Sequence, residues 1–395
     1  MELVLSQPQH KTCGALLLVA GCSIGAGMIG LPVVSATAGF FPSLLVMLVC
    51  YLFTTATGLL LVEAVLWFQD KVNLLSIAEA TLGRFGKWIT FLLFFFLFHS
   101  LFVAYADGAG RILSAALPVP EIYCSLLTLF GLGALVIGGT FLVDRINRLL
   151  MMALLGLYLL LISIGLFHLE PENLLYANLS STVATIPVIL ICFGYQNLVP
   201  TLVHYLKREL SAIRWAIILG NGLSFLLHLL WNLAILGMVS PFVLSAGAGG
   251  SVDMVTSLLE RAASAPLVLL VVHLFSLLAI ATSFLPNGIT FIDFLEDGLL
   301  SFSLTPKERR MIALGFLFVP PAFCTLFFPH LFLTALSFAG GIVDVALFGL
   351  LPVAIVYAGR YHRGLSSSSA YQVTGGKGLL AAIALLSLFL FAITR

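Results

Sequence analysis

Charge is what this sequence has least of. Asp, Glu, Lys and Arg make up only 9% of its 395 residues, against about 25% in soluble domains. With 61% hydrophobic residues and a mean hydropathy of +1.15, a soluble globular chain is excluded and the sequence reads as an all-α integral membrane protein seated in a lipid bilayer. A net charge of +1 leaves no basic footprint for a nucleic acid. The cysteines (Cys13, Cys22, Cys50, Cys124, Cys192 and Cys324) lie in or beside apolar runs and form no CxxC pair, so they read as packing residues, without a disulfide framework, zinc site or other metal site. No HExxH, no paired GxGD-type aspartates and no GxSxG elbow context occur, which argues against an intramembrane enzyme, and nothing marks a cofactor site. Repeated filter loops and rings of charge are missing too, which argues against a channel.

What is present is a succession of long apolar runs. Hydropathy gives eleven spans, at 13–39, 43–68, 88–116, 122–143, 149–168, 183–206, 213–239, 266–291, 310–328, 331–357 and 378–394. Lys11 and the first run read as a retained helix rather than a cleaved signal, because the run is long, broken by glycine and followed by further spans. With the N-terminus inside, only Arg111, Arg261 and Arg395 of the 18 basic residues fall outside, so the positive-inside rule places the N-terminus in the cytoplasm and the C-terminus outside. The connecting segments are short. Leu74–Gly86 reads as an amphipathic inner segment, Pro241–Pro266 as a long outer loop able to act as a lid, and Arg360–Lys377 as a polar linker.

The first run carries Ala20-Gly21-Cys22-Ser23-Ile24-Gly25-Ala26-Gly27-Met28-Ile29-Gly30-Leu31-Pro32. Each glycine inside a helix costs about 1 kcal/mol relative to alanine and proline about 3 kcal/mol. Hydrocarbon offers no water to a freed backbone group, so such a stretch breaks the helix only where protein or a wet cavity supplies partners. The alternative is a face of small residues for close helix packing, with Gly21 and Gly25 as a G-x-x-x-G pair. The sixth run repeats the interruption in Pro187-Val188-Ile189-Leu190-Ile191-Cys192-Phe193-Gly194-Tyr195-Gln196-Asn197-Leu198-Val199-Pro200. Breaks in spans one and six, five apart, are the pattern of an inverted repeat with a transporter's binding site between the broken helices.

Ser23-Ile24-Gly25-Ala26-Gly27-Met28-Ile29 with Pro32 resembles the first-helix motif of the bacterial aromatic amino acid permeases, the tyrosine- and tryptophan-specific proton symporters. Phe193-Gly194-Tyr195 with Pro200-Thr201-Leu202 resembles their sixth helix, and Thr282-Ser283-Phe284-Leu285 with Phe291-Ile292-Asp293-Phe294-Leu295 their eighth. The likeness covers essentially the whole chain and is greatest to the tyrosine-specific members; Gln196, Asp107 and Asp344 depart from the pattern. It implies a leucine-transporter-type fold of five plus five inverted helices with one extra C-terminal helix. The divisions are a cytoplasmic N-terminus at 1–12, repeats at 13–169 and 180–357, a cytoplasmic linker at 358–377 and an eleventh helix at 378–395. It also implies proton-driven uptake of an aromatic amino acid, L-tyrosine first, across the bacterial inner membrane. The alternative is a sodium-coupled transporter, or one of broader specificity for tryptophan or other neutral amino acids.

On that reading the substrate carboxylate meets backbone N–H groups around Gly25, Ala26 and Gly27, while its ammonium meets carbonyls at Cys22, Ser23, Cys192 and Phe193. Phe193 and Tyr195 stack on the substrate ring, and Gln196 or Asn197 bonds a phenolic hydroxyl; Phe98 and Phe102 are further aromatic candidates. Intramembrane acids are functional candidates. Asp107 has Arg111 one turn later, which favours an ion pair. Glu63 and Asp344 have no basic residue three or four positions away, so each is either a proton carrier or a hydrogen-bonded structural acid. His99, His204, His228 and His273 lie within spans, as relay candidates or packing residues. Thr282 and Ser283 offer hydroxyls to a coupling ion, or bond back to their own helix.

Overall fold

The computed structural model describes residues 7–69, 72–238, 266–299, 303–328, 330–365 and 371–393. All regular structure among them is helical. The helices, in chain order, are α1 (Gln7–Ser23), α2 (Ala26–Ala38), α3 (Phe40–Leu66), α4 (Leu74–Ala116), α5 (Glu121–Ile137), α6 (Thr140–Phe167) and the short α7 (Pro171–Leu174). They continue with α8 (Thr182–Ile191), α9 (Val199–Tyr205), α10 (Leu210–Met238), α11 (Pro266–Gly298) and α12 (Pro306–Phe327). The last are α13 (Phe332–Phe338), which runs on through a π-helical segment (Ala339–Leu350) into α14 (Leu351–Tyr361), and α15 (Gly376–Ile393).

Among the described residues nine helices are long and apolar enough to cross a membrane, or ten when α1 and α2 are taken as one bent span. The apolar α5 is shorter, at 17 residues. The fourth expected span, 122–143, is cut short by Gly138 and Gly139. Gly139 stands at φ 91°, a left-handed backbone that ends the helix. Arg145 and Arg148 therefore ride on the early turns of α6 rather than in a loop. The amphipathic segment expected at Leu74–Gly86 is the first part of α4, started by the Asn73 side chain accepting from the Ser76 N–H and bent at Gly83, where φ is 77°. The expected outer loop falls almost wholly on 239–265, outside the described residues.

Burial sorts the helices into a core and a surround. Apolar side chains on α6 and α15 point outward, with Phe167 87%, Phe141 74% and Leu385 67% exposed, as a lipid-facing surface requires. The α2, α8 and π-helical segments are largely buried. α2 packs on α8 and α10, and α8 on α3 and the π segment, so the broken helices sit inside the bundle.

One contact shows how proline shapes this core. Pro32, inside α2, has no N–H to give the carbonyl four residues back, which is that of Met28. The buried Trp231 of α10 donates its indole N–H to that carbonyl at 2.7 Å. Trp231→Phe keeps the ring and removes the donor. It is expected to lower stability by about 1–3 kcal/mol, the cost of an unsatisfied buried carbonyl, as read by thermal unfolding of purified protein. An unchanged melting temperature would show that the bond carries no weight.

Candidate functional site

Both interrupted runs are broken helices. α1 and α2 are bent by 55° across Ile24 and Gly25. α8 ends at Ile191, and the chain turns through Cys192–Tyr195 and a single 3-10 turn, Gln196–Leu198, before α9. The breaks touch: a Cβ placed on Gly27 would lie 2.9 Å from Cys192 Sγ and 3.6 Å from its Cα. Gly21 has only Met151 Cε near it, at 3.9 Å, so Gly21 and Gly25 do not form one tight packing face.

The first break is held open by side chains from two other helices. His228 of α10 donates Nε2–H to the Ser23 carbonyl at 3.2 Å, taking one of the carbonyls left free where α1 ends. At the start of α2, the Ala26 N–H donates to Ser283 Oγ of α11 at 3.2 Å, while that hydroxyl donates to the Ala279 carbonyl at 2.9 Å. A Cβ on Gly25 would collide with the same oxygen. An N–H at a helix start that pairs with one neutral hydroxyl is a donor a carboxylate can recruit. Cys22, Gly27, Gly194 and Ser283 all keep accessible surface around the break.

The side chains expected around the second break divide. Phe193 is buried with its ring 5.2 Å from that of His228. Tyr195 turns away toward α3, donating its hydroxyl to the Thr54 carbonyl at 3.0 Å against Gly58. Gln196 is buried, accepting from the Tyr195 N–H at 3.0 Å and donating to Thr57 Oγ1 at 3.4 Å. Tyr195 and Gln196 therefore brace the break rather than line it. Asn197 lines a cavity of about 200 Å³ with Pro200 and His204, Phe98 of α4, and Thr290 and Asp293 of α11.

Comparison with known proteins bears on what such a site is for. The tryptophan/tyrosine permease family matches residues 8–394. The chain belongs to that family. Tyrosine-specific transport system 1 of Haemophilus influenzae is 30% identical over 97% of this chain and 96% of its own length. Glutamine transporter 2 of Aliivibrio fischeri is 27% identical over 96% of this chain and 98% of its own. Among solved structures, a mutant of the Eremococcus coleocola manganese transporter superposes with a TM-score of 0.61 at 14% identity, over 100% of this chain and 87% of that one. That likeness carries the fold, which is of the leucine-transporter type. The permease is a multi-pass membrane transporter of a bacterial family, and transporters are not enzymes.

The permease's intramembrane acids are now separable. Asp107 pairs with Arg111 at 3.3 Å, as their one-turn spacing anticipates, and accepts from the N–H groups of His330 and Phe332 at 3.1 and 3.0 Å, capping α13. Glu63 is placed by a partner far away in the chain. It has no basic neighbour in sequence, yet Arg360 of α14 donates to both its oxygens, at 2.7 and 2.5 Å, and the Val373 N–H donates to it at 2.7 Å. A carboxylate fixed by a bidentate guanidinium and a backbone donor is a structural clamp, here tying α3 and α14 to the linker before α15. Asp344 differs from both. It is buried in the π segment, its Oδ1 makes no hydrogen bond among the described residues, and its Oδ2 lies 3.5 Å from where a Cβ on Gly194 would stand. Among the described residues, a carboxyl with no cation paired to it therefore adjoins the break in the sixth run, within a π-helical segment of the kind found often at functional sites.

Of the remaining candidates, Thr282 Oγ1 bonds back to the Leu278 and Ala279 carbonyls at 2.8 and 3.1 Å. His99 lies between the Phe95 and Phe316 carbonyls at 2.7 and 2.9 Å, bridging α4 to α12. Sequence reading missed three residues on helices α10, α4 and α11: Trp231, which bonds the Met28 carbonyl, and Tyr105 and Asn287, which bond each other. Pro32 is the only signal that pointed to any of them, since it demands a donor for Met28.

Proposed function

We propose that the permease imports an aromatic amino acid, L-tyrosine first, across the bacterial inner membrane by proton symport. The N-terminus is cytoplasmic, the C-terminus external, and access alternates around the two broken helices. The carboxylate takes the N–H groups of Gly25, Ala26 and Gly27, displacing the Ser283 hydroxyl, and the ammonium takes the carbonyl ends at Cys22 and Cys192. The observation that carries this reading is the contact between the two breaks at Gly27 and Cys192, with the Ala26 donor held only by a neutral hydroxyl. Phe193 contributes apolar surface, and the cavity bordered by Asn197 is the inner vestibule.

Asp344 carries the coupling proton. A lone carboxylate in low dielectric is costly, and a proton removes that cost. The neutral acid then lets the α8–α9 region beside it move between the two orientations. Glu63 is already paired with Arg360, which favours Asp344 over it for this role, and the Thr282 and Ser283 hydroxyls both donate back to their own helix.

Proteoliposomes given only an inward proton gradient, with sodium replaced by choline, are expected to accumulate labelled tyrosine. Competition with unlabelled tyrosine, tryptophan, phenylalanine and glutamine ranks the substrates, the aromatic ones competing best. Uptake driven by a sodium gradient alone would overturn the proton assignment and return the coupling site to Thr282 and Ser283. Strong competition by glutamine over tyrosine would overturn the substrate class.

A further inference from the structure

We infer that Asn287, positioned by Tyr105, reads a hydrogen-bond donor on the far edge of the substrate's aromatic ring. The inference rests on the substrate placement proposed above and concerns the part of the site that selects among aromatic amino acids.

Two helix faces run from the first break toward the cavity. On α11, Ser283, Asn287, Thr290 and Phe294 follow one another at the three- and four-residue spacing of a single face. On α4, Phe94, Phe98, Phe102 and Tyr105 do the same. Ser283 stands at one end, against the Ala26 N–H, and Thr290, Phe294, Phe94 and Phe98 border the cavity at the other. Asn287 lies between, one turn or about 6 Å along the axis from Ser283, a span that an aromatic side chain can bridge once its carboxylate is at α2. The facing surfaces are aromatic: Phe102 lies 5.1 Å from Phe284 and 5.5 Å from Phe291, ring centre to ring centre, and Phe98 lies 5.4 Å from Phe291. These rings are buried against one another and make the ground around the Asn287 amide apolar and aromatic.

Within this apolar wall the polar features are few and ordered. Asn287 donates Nδ2–H to the Tyr105 hydroxyl at 3.0 Å. Tyr105 in turn faces Ser283, whose hydroxyl accepts from the Ala26 N–H, which ties the pair to the first break. The bond spends one Asn287 donor and fixes its amide plane. Its Oδ1 makes no hydrogen bond among the described residues, and the residue keeps accessible surface. An acceptor held in place and left open in aromatic surroundings suits a ring that carries a donor. A phenol O–H and an indole N–H are such donors, whereas a phenyl ring would leave the acceptor desolvated and unpaired. Sites that hydrogen-bond a substrate group reject analogues lacking it far more strongly than apolar pockets reject a change of size. Gln196 is buried and bonded to Tyr195 and Thr57, away from this face.

The test is equilibrium binding of tyrosine, tryptophan and phenylalanine to purified wild type, Asn287→Leu and Asn287→Asp. Wild type is expected to prefer tyrosine and tryptophan over phenylalanine by about tenfold or more. Asn287→Leu, close in size but without the acceptor, should lose about tenfold in affinity for tyrosine and tryptophan and hold or gain affinity for phenylalanine. Asn287→Asp retains an acceptor and should keep the preference. An unchanged preference in Asn287→Leu overturns the inference. So does an equal loss for all three ligands in Asn287→Leu, or a lost preference in Asn287→Asp with phenylalanine still bound, since either marks a structural residue. Failure of the wild type to bind any of the three overturns the proposed substrate itself, and this inference with it.

Discussion

Gly27→Val is expected to abolish tyrosine binding, with affinity falling by about 100-fold or more. That is the loss of two charge-assisted backbone hydrogen bonds at about 1.5 kcal/mol each. On the proposed placement, a side chain there comes between the carboxylate and the N–H groups that begin α2. It also meets Cys192 Sγ, which a Cβ would approach to 2.9 Å, so part of any defect is packing. Adding Cys192→Ala relieves that contact while leaving the obstruction at α2. The double variant is therefore expected to regain the wild-type melting temperature without regaining binding. Gly21→Val, where only Met151 Cε lies within 4 Å of an added Cβ, should bind normally. Near-normal affinity in Gly27→Val, or restored binding in the double variant, would remove the backbone site from the account.

The second large effect is expected at Asp344. Asn at this position keeps the shape of the side chain and removes its ability to take up and release a proton. Asp344→Asn should lose concentrative uptake under a proton gradient while retaining exchange of external for internal labelled tyrosine, because exchange requires reorientation of the loaded protein but no net proton movement. Concentrative uptake at the wild-type level would show that the proton is carried elsewhere, and loss of both modes would indicate damage to the site itself. Glu63→Gln makes no comparable prediction for coupling, since Arg360 and the Val373 N–H already fix that carboxylate.

The parts of this site legible in the sequence are those set by local backbone chemistry. Glycine and proline disfavour a continuous helix wherever they cluster, so the breaks at Gly25 and Gly194 follow from residues within a few positions of each other. The span count blurs where a similar local signal was passed over, at Gly138 and Gly139, which end α5 before its expected limit. What was illegible depends on residues far apart in the chain. Glu63 and Arg360 are separated by 297 positions, and no periodicity within either helix reports their pairing. Tyr195 and Gln196 lie in the break as expected, but which way each side chain turns is decided by Thr54, Thr57 and Gly58 on α3. Ser283 was a candidate for an ion seat on the strength of its hydroxyl alone. Its contact with Ala26, 257 positions away, places it instead at the N–H that begins α2.

The central claim is that the two broken helices together form the substrate site. It is tested most directly by the position of L-tyrosine in an experimentally determined structure of the protein purified with it. The account predicts density for the amino and carboxyl groups between Gly25–Gly27 and Cys192, with the Ser283 hydroxyl no longer bonded to the Ala26 N–H and the ring directed along the Phe102 and Phe291 wall. Density confined to the cavity beside Asn197 and Asp293, with the Ser283 to Ala26 bond intact, would contradict it.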